Sequence, residues 1–163
     1  MQEIVTNAIN FILSHVPFIS LVLAGIFGSI FAYRHPDNKK EGYLRYLFLF
    51  AVGIVGIWSF IVHAFFPEVA DKFIGWAYSP FEFEVAMANL GMGLTGIVAF
   101  RASFGFRFAT IIFVSCFGWG AAIGHLYQLL AHHNFAAGNA GLIFYTDILI
   151  PLLLWLLIPF SKR

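Results

Sequence analysis

Imidazoles and carboxylates interrupt the apolar stretches of this chain at His15, His63, Glu82, Glu84, His125 and Asp147. These are the side chains of general acid–base catalysis, and mixed sets of them also ligate zinc, iron or manganese. In hydrocarbon each is costly unless paired, protonated or hydrated, so each marks a candidate site. All of them fall near the same edge of their apolar stretches, and Asn89 and Gln128 lie at similar depth. The expected converging set is His63, Glu84, Asn89, His125, Gln128 and Asp147.

Roles follow from spacing. Glu84 is the expected acid/base, with His125 as its catalytic partner. His63, Asn89, Gln128 and Asp147 complete a ligand-binding or polar network in which Asp147 orients a histidine. If a transition metal is held, His63, Glu84 and His125 are its expected ligands. No HExxH or Glu-x-x-His pattern supports a metal strongly. His63 and His125 could also be axial ligands of one haem, but pairing with carboxylates or backbone carbonyls explains two histidines as well, so haem is disfavoured. Whether the chain is an enzyme stays open.

Other polar residues have simpler explanations. Ser79-Pro80-Phe81-Glu82 reads as a capping box, with Ser at the N-cap, Pro at the first helical position and Glu82 reaching back to orphan N–H groups. His15, followed by Pro17, is expected at an interface. His132 and His133 suit a solvated helix C-terminus. Pro151 cannot donate to the Asp147 carbonyl, so a kink or hydration is expected there.

These residues must be positioned by helices in a membrane. Of 163 residues, 61% are hydrophobic and only 10% charged, with mean hydropathy +0.87, whereas soluble domains are about a quarter charged. A single cysteine, Cys116, excludes an intramolecular disulfide or a cysteine-based zinc site. The net charge of +1 offers no basic field for nucleic acid. Five stretches, at 11–33, 44–66, 81–100, 108–130 and 142–159, approach the length of about 20 residues that crosses a bilayer. The expected fold is all-α: one polytopic domain, residues 1–163, forming a five-helix transmembrane bundle.

Charge orients the bundle. Arg34, Lys39, Lys40 and Arg45 lie between the first two stretches, Arg101 and Arg107 between the third and fourth, and Lys162 and Arg163 at the end. Of nine basic residues only Lys72 lies opposite. The positive-inside rule then puts the N-terminus outside and the C-terminus in the cytoplasm, as an odd number of spans requires. The acidic Glu3 and the long first apolar run argue against a cleavable signal peptide. On the outer side, residues 67–80 suit a short interfacial helix, with Val69, Phe73 and Ala77 at helical spacing. Residues 131–141, rich in glycine and asparagine, read as a turn.

Glu82, Ala86, Asn89, Gly93 and Gly96 form one helical stripe, and Glu84, Ala88, Gly91 and Thr95 a neighbouring one. Small residues at this spacing let a second helix approach, with Asn89 available to hydrogen-bond across. The half of the bundle nearer the cytoplasm lacks ionisable groups away from its ends, which disfavours a self-contained proton path. The expected function is therefore an outward-facing intramembrane His/carboxylate pocket binding a small ligand or metal. The alternative is a non-catalytic membrane subunit or small transporter component, using its small-residue faces for a partner subunit or a second copy.

The stretch Ile74-Gly75-Trp76-Ala77-Tyr78-Ser79-Pro80-Phe81-Glu82-Phe83-Glu84, continuing to Ala88-Asn89-Leu90-Gly91, resembles the signature of an uncharacterised bacterial family of small multi-pass inner-membrane proteins. Gly124-His125-Leu126-Tyr127-Gln128, Gly138-Asn139-Ala140-Gly141 and Asp147-Ile148-Leu149-Ile150-Pro151 are similar to its later blocks. The similarity runs from the second stretch to the fifth. In that pattern the position of Glu82 is often Gln while Glu84 matches, which implies a cap at Glu82 and a functional Glu84. The resemblance implies placement in the bacterial inner membrane and nothing about a substrate.

Overall fold

A computed structural model describes residues 2–158 of the chain, with side chains from residue 8 onward. Every regular element in it is helical: α1 (Gln2–Arg34), a 3₁₀ turn (Pro36–Asn38), α2 (Lys39–Tyr46), a π-helical segment (Leu47–Ile54), α3 (Val55–Phe65), α4 (Pro67–Ile74), α5 (Glu82–Ala99), α6 (Phe104–His132), α7 (Ala137–Ala140) and α8 (Leu142–Leu157). Among the described residues, four helical stretches are long and apolar enough to cross a membrane: Ala8–Arg34, Pro36–Phe65, Phe104–His132 and Ala137–Leu157. The expected third span, α5, is not among them. Its two glutamates, Asn89 and Thr95 dilute its apolar character. Pro159, taken as the end of the fifth stretch, and the basic pair Lys162 and Arg163 lie outside the described residues.

Two apolar clusters hold the bundle together. The larger surrounds Leu44, Phe48, Val52, Ile111 and Leu154, all almost fully buried. The smaller joins Leu13 and Val62 to Ala70 and Phe73 of α4. So the segment 67–80 does carry a short helix whose buried face is Ala70 and Phe73. It stops at Gly75, whose φ of 74° is the left-handed conformation glycine tolerates at a helix end.

The closest helix pairing is α3 and the π-helical segment against α5. The buried face of α5 is Glu82, Ala86, Asn89, Gly93, Gly96 and Ala99, the first of the two stripes. A Cβ on Gly56 would stand 2.5 Å from the Gly93 nitrogen, and one on Gly96 2.6 Å from the Gly53 nitrogen. Only hydrogen fits there, so the glycines set the separation of the two backbones. Asn89 does not bond across this contact; its amide donates to the Val85 carbonyl of its own helix at 2.9 Å.

At the end of the bundle that carries most of the basic residues, the buried Arg107 acts as a clamp. Its Nε donates to the Ala99 carbonyl at 2.8 Å and its Nη2 to the Phe100 carbonyl at 3.0 Å. Nη1 meets both oxygens of Glu41, at 3.0 and 2.9 Å. One guanidinium thus caps the C-terminus of α5 and ties α6 to α2, a use of its planar fork that a lysine could not copy. Arg45 adds a second bond to Glu41 at 2.5 Å.

Candidate functional site

Between the two clusters lies a cavity of about 520 Å³. His63, Asn89, His125 and Asp147 line it together with apolar side chains of α1, α3, α6 and α8. Four residues of the expected set, from four different helices, therefore share one space. Each lies within about seven residues of the same end of its helix, roughly 10 Å at 1.5 Å per residue.

His125 is buried on the inward face of α6. Its Nδ1 lies 2.9 Å from Asn139 Oδ1, and Trp76 Nε1 donates to the same oxygen at 2.9 Å. The amide of Asn139 donates to the carbonyls of His125 at 3.2 Å and Asn134 at 2.9 Å. Asn134 in turn donates to the carbonyls of Ile74 and Gly75, at 3.0 and 3.1 Å. Two asparagines thus weld the α4–α5 connection to the α6–α8 connection, and with α4 and α7 they roof the cavity. The segment 131–141 read as a turn contains α7, and its Asn139 is only 1% exposed. Sequence reading missed Asn134, Asn139 and Trp76. A signal was present, since Gly138-Asn139-Ala140-Gly141 sits beside apolar sequence where a buried amide would need this many partners.

Asp147 lies on the opposite wall, with its Oδ2 3.7 Å from His125 Nε2. Pro151 leaves its backbone carbonyl without an intrahelical donor, yet α8 continues through the proline. Gly118 makes room there: a Cβ on it would stand 2.9 Å from the Asp147 carbonyl oxygen. Trp119 donates to the next carbonyl, that of Ile148, at 3.3 Å.

The glutamates exchange the places expected of them. Glu82 is buried and its Oε1 lies 3.1 Å from His63 Nδ1. Its Oε2 is buried without a hydrogen-bond partner, and Asp71 of α4 is near enough to act on it electrostatically. Glu84 is exposed, away from the cavity. The expected capping box of Ser79, Pro80 and Glu82 is not formed. A turn through Pro80 and Phe81 delays the helix until Glu82, so Glu82 begins α5 instead of occupying its third position. Ser79 Oγ accepts from the Phe81 N–H at 3.3 Å.

Gln128 does not line the cavity. His15 bonds the Phe11 carbonyl of its own helix at 2.8 Å and stacks on that ring. His132 and His133 are exposed. Because Glu84 faces away, the trio His63, Glu84 and His125 is not assembled. Among the described residues no three His, Cys, Asp or Glu side chains come together as a metal site.

Long apolar helices around a cavity with one polar end define a helical bundle compatible with a membrane protein. The chain belongs to a family of unknown function, DUF6790, whose profile matches residues 13–163. No curated protein and no solved structure matches it.

Proposed function

We propose that the chain is an inner-membrane protein of five spans, N-terminus outside and C-terminus cytoplasmic, whose roofed cavity binds a small ligand near the outer face. The observation that carries this reading is the meeting of His63, Asn89, His125 and Asp147 in one cavity of about 520 Å³. That volume lies in the range of drug-sized ligand sites, about 300–1,000 Å³, which likewise combine apolar walls with a few convergent polar groups. A fully packed interior would leave no such void.

The contacts of α5 support a fifth crossing. Its first residue, Glu82, pairs with His63 at the end of α3, and its last carbonyls receive Arg107 at the start of α6. It therefore runs the thickness of the bundle from the histidine end to the basic end. Eighteen residues give about 27 Å at 1.5 Å per residue, close to a hydrocarbon core of about 30 Å. Its glutamates lie at the end of that path, where water is within reach.

Native mass spectrometry of the detergent-purified protein tests the binding. The expected result is a one-to-one small-molecule adduct that is lost when Ala121, on the cavity wall, is changed to Trp. Bare protein in both preparations, across several detergents, would count against a ligand site.

A further inference from the structure

Trp76 fixes the polarity of the hydrogen bonds at the roofed end of the cavity. An indole N–H can only donate, so the atom it meets, Asn139 Oδ1, accepts. His125 Nδ1 meets that same oxygen and must carry its proton there. Nε2 of the neutral ring is then a lone-pair acceptor, and it faces Asp147 Oδ2 across 3.7 Å. With Asp147 ionised, two acceptors oppose each other over a gap too long for a hydrogen bond. No lysine or arginine lines the cavity, and the nearest partner of the Asp147 carboxylate is His125. About a quarter of that side chain, 26%, remains exposed to the space.

The space itself has a direction. From His125 it extends along α6 to Val114, eleven residues or about 16 Å at 1.5 Å per residue, past Phe117, Val55 and Ile150, a stretch lined by no carboxylate, imidazole or basic side chain beyond Asp147. Phe73, Ile74 and the partly exposed Trp76 roof it. On its side, Val85 of α5 and Cys116 and Gly120 of α6 both line the cavity and are exposed on the surface. A Cβ on Gly120 would meet nothing within 4 Å. The opening lies between α5 and α6, on a face that is apolar and turned to lipid if the bundle spans a membrane.

We infer that the cavity holds a single-chain lipophile ending in a primary ammonium, which enters sideways between α5 and α6 and donates to both Asp147 Oδ2 and His125 Nε2. The inference rests on reading the cavity as a ligand site. An ammonium supplies several donors and a charge opposite to the carboxylate, so the buried pair is neutral and hydrogen-bonded. A fatty acid would set two carboxylates side by side. An alcohol can satisfy only one of the two acceptors, and a plain hydrocarbon neither.

The test uses the full chain in phosphatidylcholine nanodiscs, with tryptophan fluorescence as readout because Trp58 and Trp76 line the cavity. Titration with dodecylamine, dodecanol and dodecanoic acid is expected to give saturable binding, tightest for the amine by at least tenfold. Asp147→Asn is expected to bring the amine level with the alcohol. The wild-type ranking holds as a test even where that variant fails to fold. Replacing part of the lipid with lysophosphatidylethanolamine, which has one chain, distinguishes sources: competition identifies a lipid headgroup as the ammonium, and its absence a free amine. Saturable binding of all three probes with equal affinity would overturn the ammonium inference and leave the ligand site standing. No saturable binding of any probe would remove both.

Discussion

At the scale of single residues, helical phase decides which carboxylate is used. Glu82 and Glu84 are two positions apart, about 200° around an α-helix, so they cannot both face α3. The stripe that carries Glu82 also carries Gly93 and Gly96, and their backbone contact with Gly53 and Gly56 turns Glu82 toward His63. His63→Ala should destabilise the protein by about 1–3 kcal/mol, because it strips a buried carboxylate of its hydrogen bond to the imidazole. Glu82→Gln keeps an oxygen for His63 and supplies a donor toward Asp71, so it should be neutral or mildly stabilising. Ser79→Ala should cost well under the ~1 kcal/mol of a lost N-cap. Denaturant unfolding of the three variants checks the set, and a large loss in Ser79→Ala would restore the capping reading. Both stripes were visible in the sequence, as were the two histidines and Asp147. Which stripe is buried was not, because Ala88 and Gly91 behind Glu84 look as small as Ala86 and Gly93 behind Glu82. Asn134 and Asn139 were hidden for another reason: turn-forming asparagine and buried asparagine are the same residue until the partners Trp76 and His125 are placed beside it.

Among the elements, close approach and clamping divide the work of holding α5. On its flank, Gly56→Ala or Gly93→Ala would drive a methyl group into backbone atoms at 2.5 and 2.7 Å, which cannot rotate away. Each should cost about 1–3 kcal/mol, the usual penalty of overpacking. Gly91→Ala, on the neighbouring stripe, meets nothing within 4 Å and should stabilise α5 by about 0.5–1 kcal/mol through helix propensity. At its C-terminus, Arg107→Ala would leave two carbonyls and Glu41 without their shared donor, a loss of about 3 kcal/mol. Arg107→Lys should recover little, since one ammonium cannot reach two carbonyls and a carboxylate in the same geometry. Thermal unfolding in detergent, followed by circular dichroism, orders these variants. A neutral Gly56→Ala would mean that the helices have room to separate. Sequence reading assigned Arg107 only a topological charge, because its partner Glu41 is 66 positions away and nothing local announces the pair. The glycine packing was legible because its spacing on a single helix carries it. The weaker apolarity of α5 has the same origin: glycines and glutamates that serve contacts at its face and its first turn lower its hydropathy.

For the whole molecule, the arrangement of charge and of the roof concerns the same axis. Arg34, Lys39, Lys40, Arg45, Arg101 and Arg107 gather at one end of the bundle, and the Arg107–Glu41 contact brings two of the connecting segments together there. His63, His125 and the asparagine-bonded roof lie at the other end, where Lys72 is the one lysine or arginine among the described residues. If retention of positive charge orients the chain, the roof faces outward and the cavity meets lipid through its side. A Cys116→Ser background then allows single cysteines at Tyr78 and Lys39, both exposed, to report sidedness. An impermeant maleimide applied to intact cells should modify Tyr78→Cys at once and Lys39→Cys only after permeabilisation. The reverse pattern would invert the molecule, and labelling of both in intact cells would mean that the segment from Pro36 to Phe65 does not cross. The outcome also bears on the cavity. With the roof outside, the polar end lies in the outer leaflet, where an amphiphile inserted from outside already has its polar group at that depth. It would need only lateral motion past Val85, Cys116 and Gly120, with no exposure of its chain to water and no opening of the Asn139 network.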